Sequence, residues 1–184
     1  ATLRELGCQV LKLDVANPAS VSGLAWQLDG EKIDTAWHVA GVMCRRTDAR
    51  LPPAQLEFDR VMHTNVLGAM QVIPLVAPLV EAARGRFGFL SSTMGHIGSA
   101  SGSNSWLYRT SKAALNMAVA SARHSYPQAL FLLLHPGWVR TDMGGPQAAV
   151  SASDSATQLR AALASATAAD NGAFFHHDGS RVAG

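Results

Sequence analysis

The chain has 184 residues, of which 48% are hydrophobic and 15% charged, and its net charge is +2. This composition predicts a globular domain with a sizeable core and excludes a disordered chain. The twelve arginines are scattered, so no basic patch predicts a nucleic-acid partner. The two cysteines, Cys8 and Cys44, form neither a metal-type pair nor a disulfide framework, which fits a reducing, cytoplasmic compartment.

No segment predicts a signal peptide or a membrane span. The most apolar run, "AMQVIPLVAPLV" at 69–80, is shorter than the roughly 20 residues that a spanning helix needs, and it includes two prolines. We therefore expect a buried helix and no membrane partner. The opening "ATLRELG" lacks an initiator methionine and predicts the last turns of a helix closed by Gly7, so the sequence is expected to begin within a fold.

Strand-like and helix-like segments alternate along the chain. Short apolar runs rich in valine, leucine and phenylalanine predict strands. In chain order these are "CQVLKLDV" (8–15), "IDTAWHVAG" (33–41), "GRFGFLSS" (85–92), "ALFLLLHPG" (129–137) and "GAFFHHDG" (172–179).

Helical patterns lie between the predicted strands. The first has Asn17 as N-cap and Pro18 at its first position. The others cover about 53–83, where two helices are expected to meet near Asn65, then 106–125 and 151–166. Residues 45–52 and the Gly/Ser-rich segment 93–105 are predicted loops.

The alternation predicts an α/β fold of the Rossmann-like, doubly wound kind, with a parallel sheet covered by helices on both faces. No second domain is indicated, so residues 1–184 are interpreted as a single domain. Ligands of such sheets bind at the carboxyl ends of the strands. Polar residues just after the strands are therefore candidates for a site, among them Asp14, Ser91 and Ser92.

One stretch, "YRTSK" at 108–112, pairs one of two tyrosines with one of three lysines. On a helix, residues four apart share a face, so the Lys112 ammonium would lie near the Tyr108 phenol. A nearby positive charge lowers a phenol pKa and prepares it for proton transfer. The alternative is an amphipathic helix with one aromatic side chain and one lysine that extends to water. These five residues leave both interpretations open.

Taken together, the pieces resemble the short-chain dehydrogenase/reductase family, and most of all its C-factor/sniffer-like carbonyl reductase branch. The matching pieces occur in order along nearly the whole chain. They are Asp14-Val15 after a strand, "HVAG" at 38–41, Asn65 in "TNVLG", "SST" at 91–93, "YRTSK" and "HPGWVRTDM" at 135–143.

The resemblance implies a role for each matching residue. Ser92 would orient a substrate carbonyl, and Tyr108 would be the general acid/base. Lys112 would lower the Tyr108 pKa and hold the nicotinamide ribose, and Asn65 would anchor a water in a proton relay. Contacts to NADP or NAD, with NADP slightly favoured, are implied for Asp14 and Val15 (adenine), Ala40 and Gly41 (adenine ribose), and Pro136, Gly137, Val139 and Thr141 (nicotinamide amide).

The sequence departs from the family in two places. His38 and Val39 stand where two asparagines are usual, and His38 is interpreted as a packed strand-end residue. The glycine-rich turn and the first two strands of the family have no counterpart, a difference of roughly 50 residues. We therefore expect a fold that is incomplete at its N-terminus.

Two functions of different classes follow. The first is an NAD(P)(H)-dependent oxidoreductase that interconverts a carbonyl and an alcohol on a small molecule by Ser-Tyr-Lys catalysis. The alternative is a truncated, inactive chain that acts as an interaction or signalling module, or a mere fragment of sequence.

No metal site is expected, because His176 and His177 would point to opposite faces of a strand. The apolar helix at 65–83 could pair with a second copy in a homodimer, and Trp106 and Trp138 could be core or substrate wall.

Overall fold

The structure is a computed structural model that describes residues 2–44 and 48–182. Three residues of the predicted loop at 45–52 lie outside the described part. The strands are β1 (Thr35–His38), β2 (Arg86–Leu90), β3 (Leu130–His135) and β4 (Phe174–His176). The α-helices are α1 (Pro18–Ser22), α2 (Leu24–Gln27), α3 (Gln55–Met62), α4 (Gly68–Ala82), α5 (Trp106–Ala122) and α6 (Ala152–Ser165).

The four strands form a parallel sheet in the order β1-β2-β3-β4. Each crossover carries at least one helix, as parallel pairing requires. One face packs on α4 and α5, where Ile73, Leu115 and Phe131 are almost completely buried. The other face packs on α6 through Leu132 and Leu159. The predicted α/β fold with helices on both faces of a parallel sheet is confirmed.

The two helices predicted to meet near Asn65 do meet there. A π-helical turn, His63–Leu67, joins α3 to α4. Asn65 lies in this turn and is fully buried. Such turns open the regular helical hydrogen-bond pattern and often mark functional positions.

One predicted strand is wrong. Residues 8–15 form no regular secondary structure and pair with no strand in the described part of the chain, and Val10 and Leu13 are exposed. The nearest candidate partner, β1, pairs with β2 on one side only. Apolar and β-branched residues favour a strand only where a neighbouring strand supplies hydrogen bonds and packing.

The expected helix before Gly7 is a single turn. The amide of Cys8 bonds to the carbonyl of Leu3 at 3.1 Å, and Gly7 has a left-handed φ of 81°. The cap predicted for α1 is present, because the Asn17 side chain accepts from the amides of Ala19 and Ser20 at 3.0 and 3.3 Å. Gly23 then separates α1 from α2, where one helix was expected.

By length and composition alone, one helical stretch of the described chain, Gln55–Ala82, could cross a membrane. Its α4 part contributes Val72, Ile73, Ala77 and Val80 to the core beneath the sheet. A core helix of a globular protein meets the same test, so the stretch is weak support for a membrane span.

Candidate active site

A cleft of about 1010 Å³ opens at the carboxyl edge of the sheet. Its walls come from the segments that follow β1, β2 and β3, together with α5 and the start of α6. Among the residues predicted for the site, those that line it are Gly41, Ser92, Tyr108, Lys112, Pro136, Gly137, Val139 and Thr141.

Ser92 and Tyr108 meet in this cleft. Ser92 follows β2, where its Oγ accepts from the Met94 amide at 3.2 Å and caps a short 3₁₀ turn. Tyr108 is the third residue of α5 and is 8% exposed. Both side chains line the cleft, where a polar interaction with Ser92 acts on the Tyr108 phenol. Two residues 16 positions apart in sequence therefore line the same cleft.

Lys112 lies one helical turn after Tyr108 and is almost completely buried. Its ammonium donates to the carbonyl of Leu90 at 2.8 Å and lies 5.8 Å from the centre of the Tyr108 ring. A Cβ at Gly41 would lie 3.4 Å from Lys112 Nζ, in ordinary van der Waals contact, and both residues line the cleft. Burial lowers the pKa of Lys112 to about 8.

The expected effect of Lys112 on Tyr108 is absent. Burial raises the pKa of the Tyr108 phenol, and the hydrogen bond with Ser92 offsets only part of that rise. The expectation that the pKa of Tyr108 is lowered is therefore wrong. The physical reason is that the phenol loses water, whereas the ammonium is directed to the Leu90 carbonyl.

Asn65 supports the cleft from behind without lining it. Its side chain accepts from the Val42 amide at 2.7 Å and donates to the Val42 carbonyl at 2.9 Å. It also donates to Ser111 Oγ at 2.9 Å, and that hydroxyl donates to the Tyr108 carbonyl at 2.8 Å. One buried amide therefore connects the segment after β1 to the helical turn that carries Tyr108.

The turn after β3 forms the opposite wall. Gly137 has a left-handed φ of 81°, and a Cβ there would come within 2.6 Å of the His177 ring. Ser155 Oγ donates to the Pro136 carbonyl at 2.7 Å, and the Gly144 amide donates to Thr141 Oγ1 at 3.1 Å. These contacts hold the turn in a shape that only glycine allows at its first bend.

Three predicted cofactor contacts lie outside this cleft. Asp14 accepts from the Ala16 amide at 3.0 Å and so closes a local turn ahead of α1. Val15 packs on Gly68, where an added Cβ would lie 2.8 Å from Val15 Cγ2. Ala40 is half-buried between β1 and the cleft residue Gly41.

The remaining aromatic and histidine residues follow the expectations in part. His38 is buried beside Phe89, and burial followed by the nearby Lys112 charge lowers its pKa to about 4. Trp138 is 58% exposed and lines the cleft, so it is a wall residue and not core. The described residues contain no cluster of three or more histidine, cysteine or acidic side chains that could hold a metal.

Sequence reasoning missed Asn116. Its side chain accepts a hydrogen bond from Ser91 Oγ and donates to the Gly95 carbonyl at 3.5 Å, which ties the loop after β2 to α5. The available signal was spacing, because Asn116 lies four residues after Lys112 and eight after Tyr108 on one helix face.

Comparisons with known proteins place the chain among oxidoreductases. The family model described as enoyl-(acyl carrier protein) reductase, a short-chain dehydrogenase/reductase model, matches residues 1–182. C-signal of Myxococcus xanthus is 35% identical over 147 residues, which cover 78% of this chain and 86% of that protein.

Solved structures give the same assignment. The NADPH-bound carbonyl reductase from chicken fatty liver superimposes with a TM-score of 0.86 at 25% identity, over 98% of this chain and 81% of that one. Carbonyl reductase Sniffer of D. melanogaster gives a TM-score of 0.80 at 28% identity, over 95% of this chain and 77% of that one. The chain therefore belongs to the short-chain dehydrogenase/reductase family, with C-signal and Sniffer among its relatives, as the sequence motifs implied.

Proposed function

We propose that the chain interconverts a carbonyl and an alcohol on a small molecule with a nicotinamide cofactor, and that Ser92, Tyr108 and Lys112 are its catalytic residues. The observation that supports this is the convergence of Ser92, Tyr108 and Lys112 on one cleft at the carboxyl edge of the sheet, with the Lys112 ammonium 5.8 Å from the centre of the Tyr108 ring.

The three side chains suit the two directions of proton transfer. A substrate carbonyl oxygen between Ser92 and Tyr108 would accept hydrogen bonds from both hydroxyls. The Tyr108 phenol would give its proton to that oxygen as the alcohol forms, and it would take the proton back in the reverse reaction. Burial sets the pKa of the neutral Tyr108 phenol, but once the proton has left, the Lys112 ammonium at 5.8 Å from the centre of the ring would stabilise the phenolate.

The nicotinamide half of a dinucleotide fits the cleft. Lys112 would hold a ribose hydroxyl beside Gly41, and the turn from Pro136 to Thr141 would hold the amide. When bound, the reduced nicotinamide supplies the hydride that reaches the carbonyl carbon. The chicken neighbour is described as NADPH bound, which supports NADP as the cofactor.

The pyrophosphate half does not fit the described residues that precede β1. The longest helix there, α1, has five residues, and the Asn17 side chain already accepts from its first amides. A dinucleotide pyrophosphate needs unpaired amides at a helix N-terminus. We derive no role for this region in binding the phosphates.

A second candidate function is an interaction or signalling module without turnover. The observation that favours it is the 35% identity to a protein named C-signal. The two functions differ in whether Tyr108 matters, because a module that only binds partners needs no proton donor.

The test is Tyr108→Phe, measured in a chain with a glycine-rich βαβ unit joined ahead of Ala1. The substitution keeps the ring and removes the proton donor, so the rate constant for carbonyl reduction should fall by at least about a hundredfold. The other tyrosine offers a matched control, since Tyr126 stacks on Phe131 in the core. Tyr126→Phe should retain the rate. Near-normal reduction by Tyr108→Phe would refute the proposal.

A further inference from the structure

A second cavity of about 600 Å³ adjoins the cleft on the side of the Gly/Ser-rich loop. Thr93 and Met94 line both spaces, so the two are neighbours across the loop that follows Ser92. The other lining residues of this second cavity are His96, Gly98, Ser99, Ser101, Arg109, His176 and Val182.

Arg109 gives the second cavity a positive charge. Its Nε donates to the Asn104 carbonyl at 2.9 Å, and its Nη2 donates to Asn104 Oδ1 at 3.1 Å. A guanidinium has five N–H donors. Among the residues that the structure describes, these two bonds use two of the five, so three donors remain while the group is held in place.

No acidic side chain lines the second cavity within the described ranges. The carboxylate of Asp48 reaches the same loop, but it accepts from Ser103 Oγ at 3.2 Å and forms no ion pair with Arg109. Hydroxyl and imidazole groups of Thr93, Ser101 and His96 supply further polar contacts. An anchored guanidinium with unused donors matches a carboxylate, which it can bind through two parallel hydrogen bonds.

We propose that the second cavity binds a carboxylate group of the substrate, so that the preferred substrates are carbonyl compounds that carry a carboxylate. The proposal rests on the proposed function, because Ser92 and Tyr108 would act on the other end of the same molecule. Thr93 directly follows Ser92, and Arg109 directly follows Tyr108. The same two elements therefore build the reacting position and the anion position, in adjoining spaces.

Binding of matched probes to the 184-residue chain tests the proposal without turnover. The probes are 4-formylbenzoate and its methyl ester, which differ in the carboxylate charge, and NMR chemical-shift titration measures both dissociation constants. We expect the acid to bind at least about tenfold more tightly than the ester, as a hydrogen-bonded charge pair predicts. Arg109→Gln should remove that preference, and Arg109→Lys should keep part of it.

Arg84→Gln is the control for loss of positive charge, because Arg84 is exposed and precedes β2 at the opposite edge of the sheet. It should leave the preference unchanged. Ester binding should be equal in all variants, whereas a structural defect would weaken the acid and the ester together.

Equal affinity of the wild-type chain for acid and ester would overturn the proposal, as would an Arg109→Gln chain that still prefers the acid. Neither result depends on reduction. A failure of the proposed function would instead appear as normal carbonyl reduction by Tyr108→Phe, so the two failures can be told apart.

Discussion

Two segments that the sequence predicts as strands differ completely in the folded molecule. Residues 130–135 form β3, which pairs on both sides and buries Phe131, Leu132 and Leu134 completely. Residues 8–15 form no strand, are unpaired within the described chain and are mostly exposed. The difference shows that strand propensity is realised only where neighbouring strands and a helix layer complete the burial.

The paired strands and the unpaired region before β1 also differ in what they contribute to the cleft. The cleft residues from Ser92 to Thr141 follow β2 and β3, which are paired on both sides, or lie on α5 packed against them. The region before β1 contributes the core residue Val21, with Val15, Leu28 and Ile33 packed against the core, but no wall of the cleft. The cleft is therefore built by the segments that follow β1, β2 and β3 and by the helices packed on the sheet, and not by the region before β1.

The largest expected effect is on the free energy of unfolding, which a truncation in β3 should lower far more than a truncation in residues 8–15. Phe131→Ala removes a fully buried ring and should lower the free energy of unfolding by about 3–5 kcal/mol. Val10→Ala truncates an exposed side chain and should change it by less than about 0.5 kcal/mol. Urea denaturation of both variants measures the difference. Comparable losses would mean that residues 8–15 are packed in solution.

The next effect concerns Asn65, whose side chain connects the segment after β1 to α5. Asn65→Ala would leave the buried amide and carbonyl of Val42 without their side-chain partner, at a cost of about 3 kcal/mol. Ser111→Ala removes one hydrogen bond of the same group and should cost less, about 1 kcal/mol. Hydrogen exchange of the Val42 amide should accelerate in the first variant and much less in the second. Unchanged protection in Asn65→Ala would contradict the link.

A smaller effect should appear in the pH dependence of stability. Burial lowers the pKa of Lys112 to about 8 from its ordinary value of 10.5. Between these values the unfolded chain binds the proton more tightly than the folded chain does, so stability rises with pH. From pH 8 to pH 10 the gain from this group should be about 2 kcal/mol.

Lys112→Met has no such proton to lose and provides the reference for that gain. The difference in unfolding free energy between wild type and Lys112→Met should therefore change with pH over this window in favour of wild type. A constant difference from pH 8 to pH 10 would show that the ammonium is solvated in the folded chain.

Patterns over a few neighbouring residues correctly predicted the elements that find their packing and hydrogen-bonding partners in the described structure. The apolar runs of β2 and β3, the Asn17 cap and the Tyr108-Lys112 spacing each carry their own physical cause. Three features depended on tertiary contacts that spacing does not contain. Residues 8–15 would form a strand only beside a partner strand. The pKa of Tyr108 depends on burial more than on Lys112. The second cavity, which Arg109 lines, forms only where the loop after β2 meets α5.

The most direct test of the division between the two regions is nucleotide binding by the 184-residue chain. We predict dissociation constants of about 1 mM or weaker for NADPH and NADH, equivalent to no more than about 4 kcal/mol. Reduced nicotinamide mononucleotide should bind as well as NADPH, because the proposed site receives only the nicotinamide half. Calorimetric titration of all three compounds decides the matter. A micromolar dissociation constant for NADPH, with much weaker binding of the mononucleotide, would contradict the account.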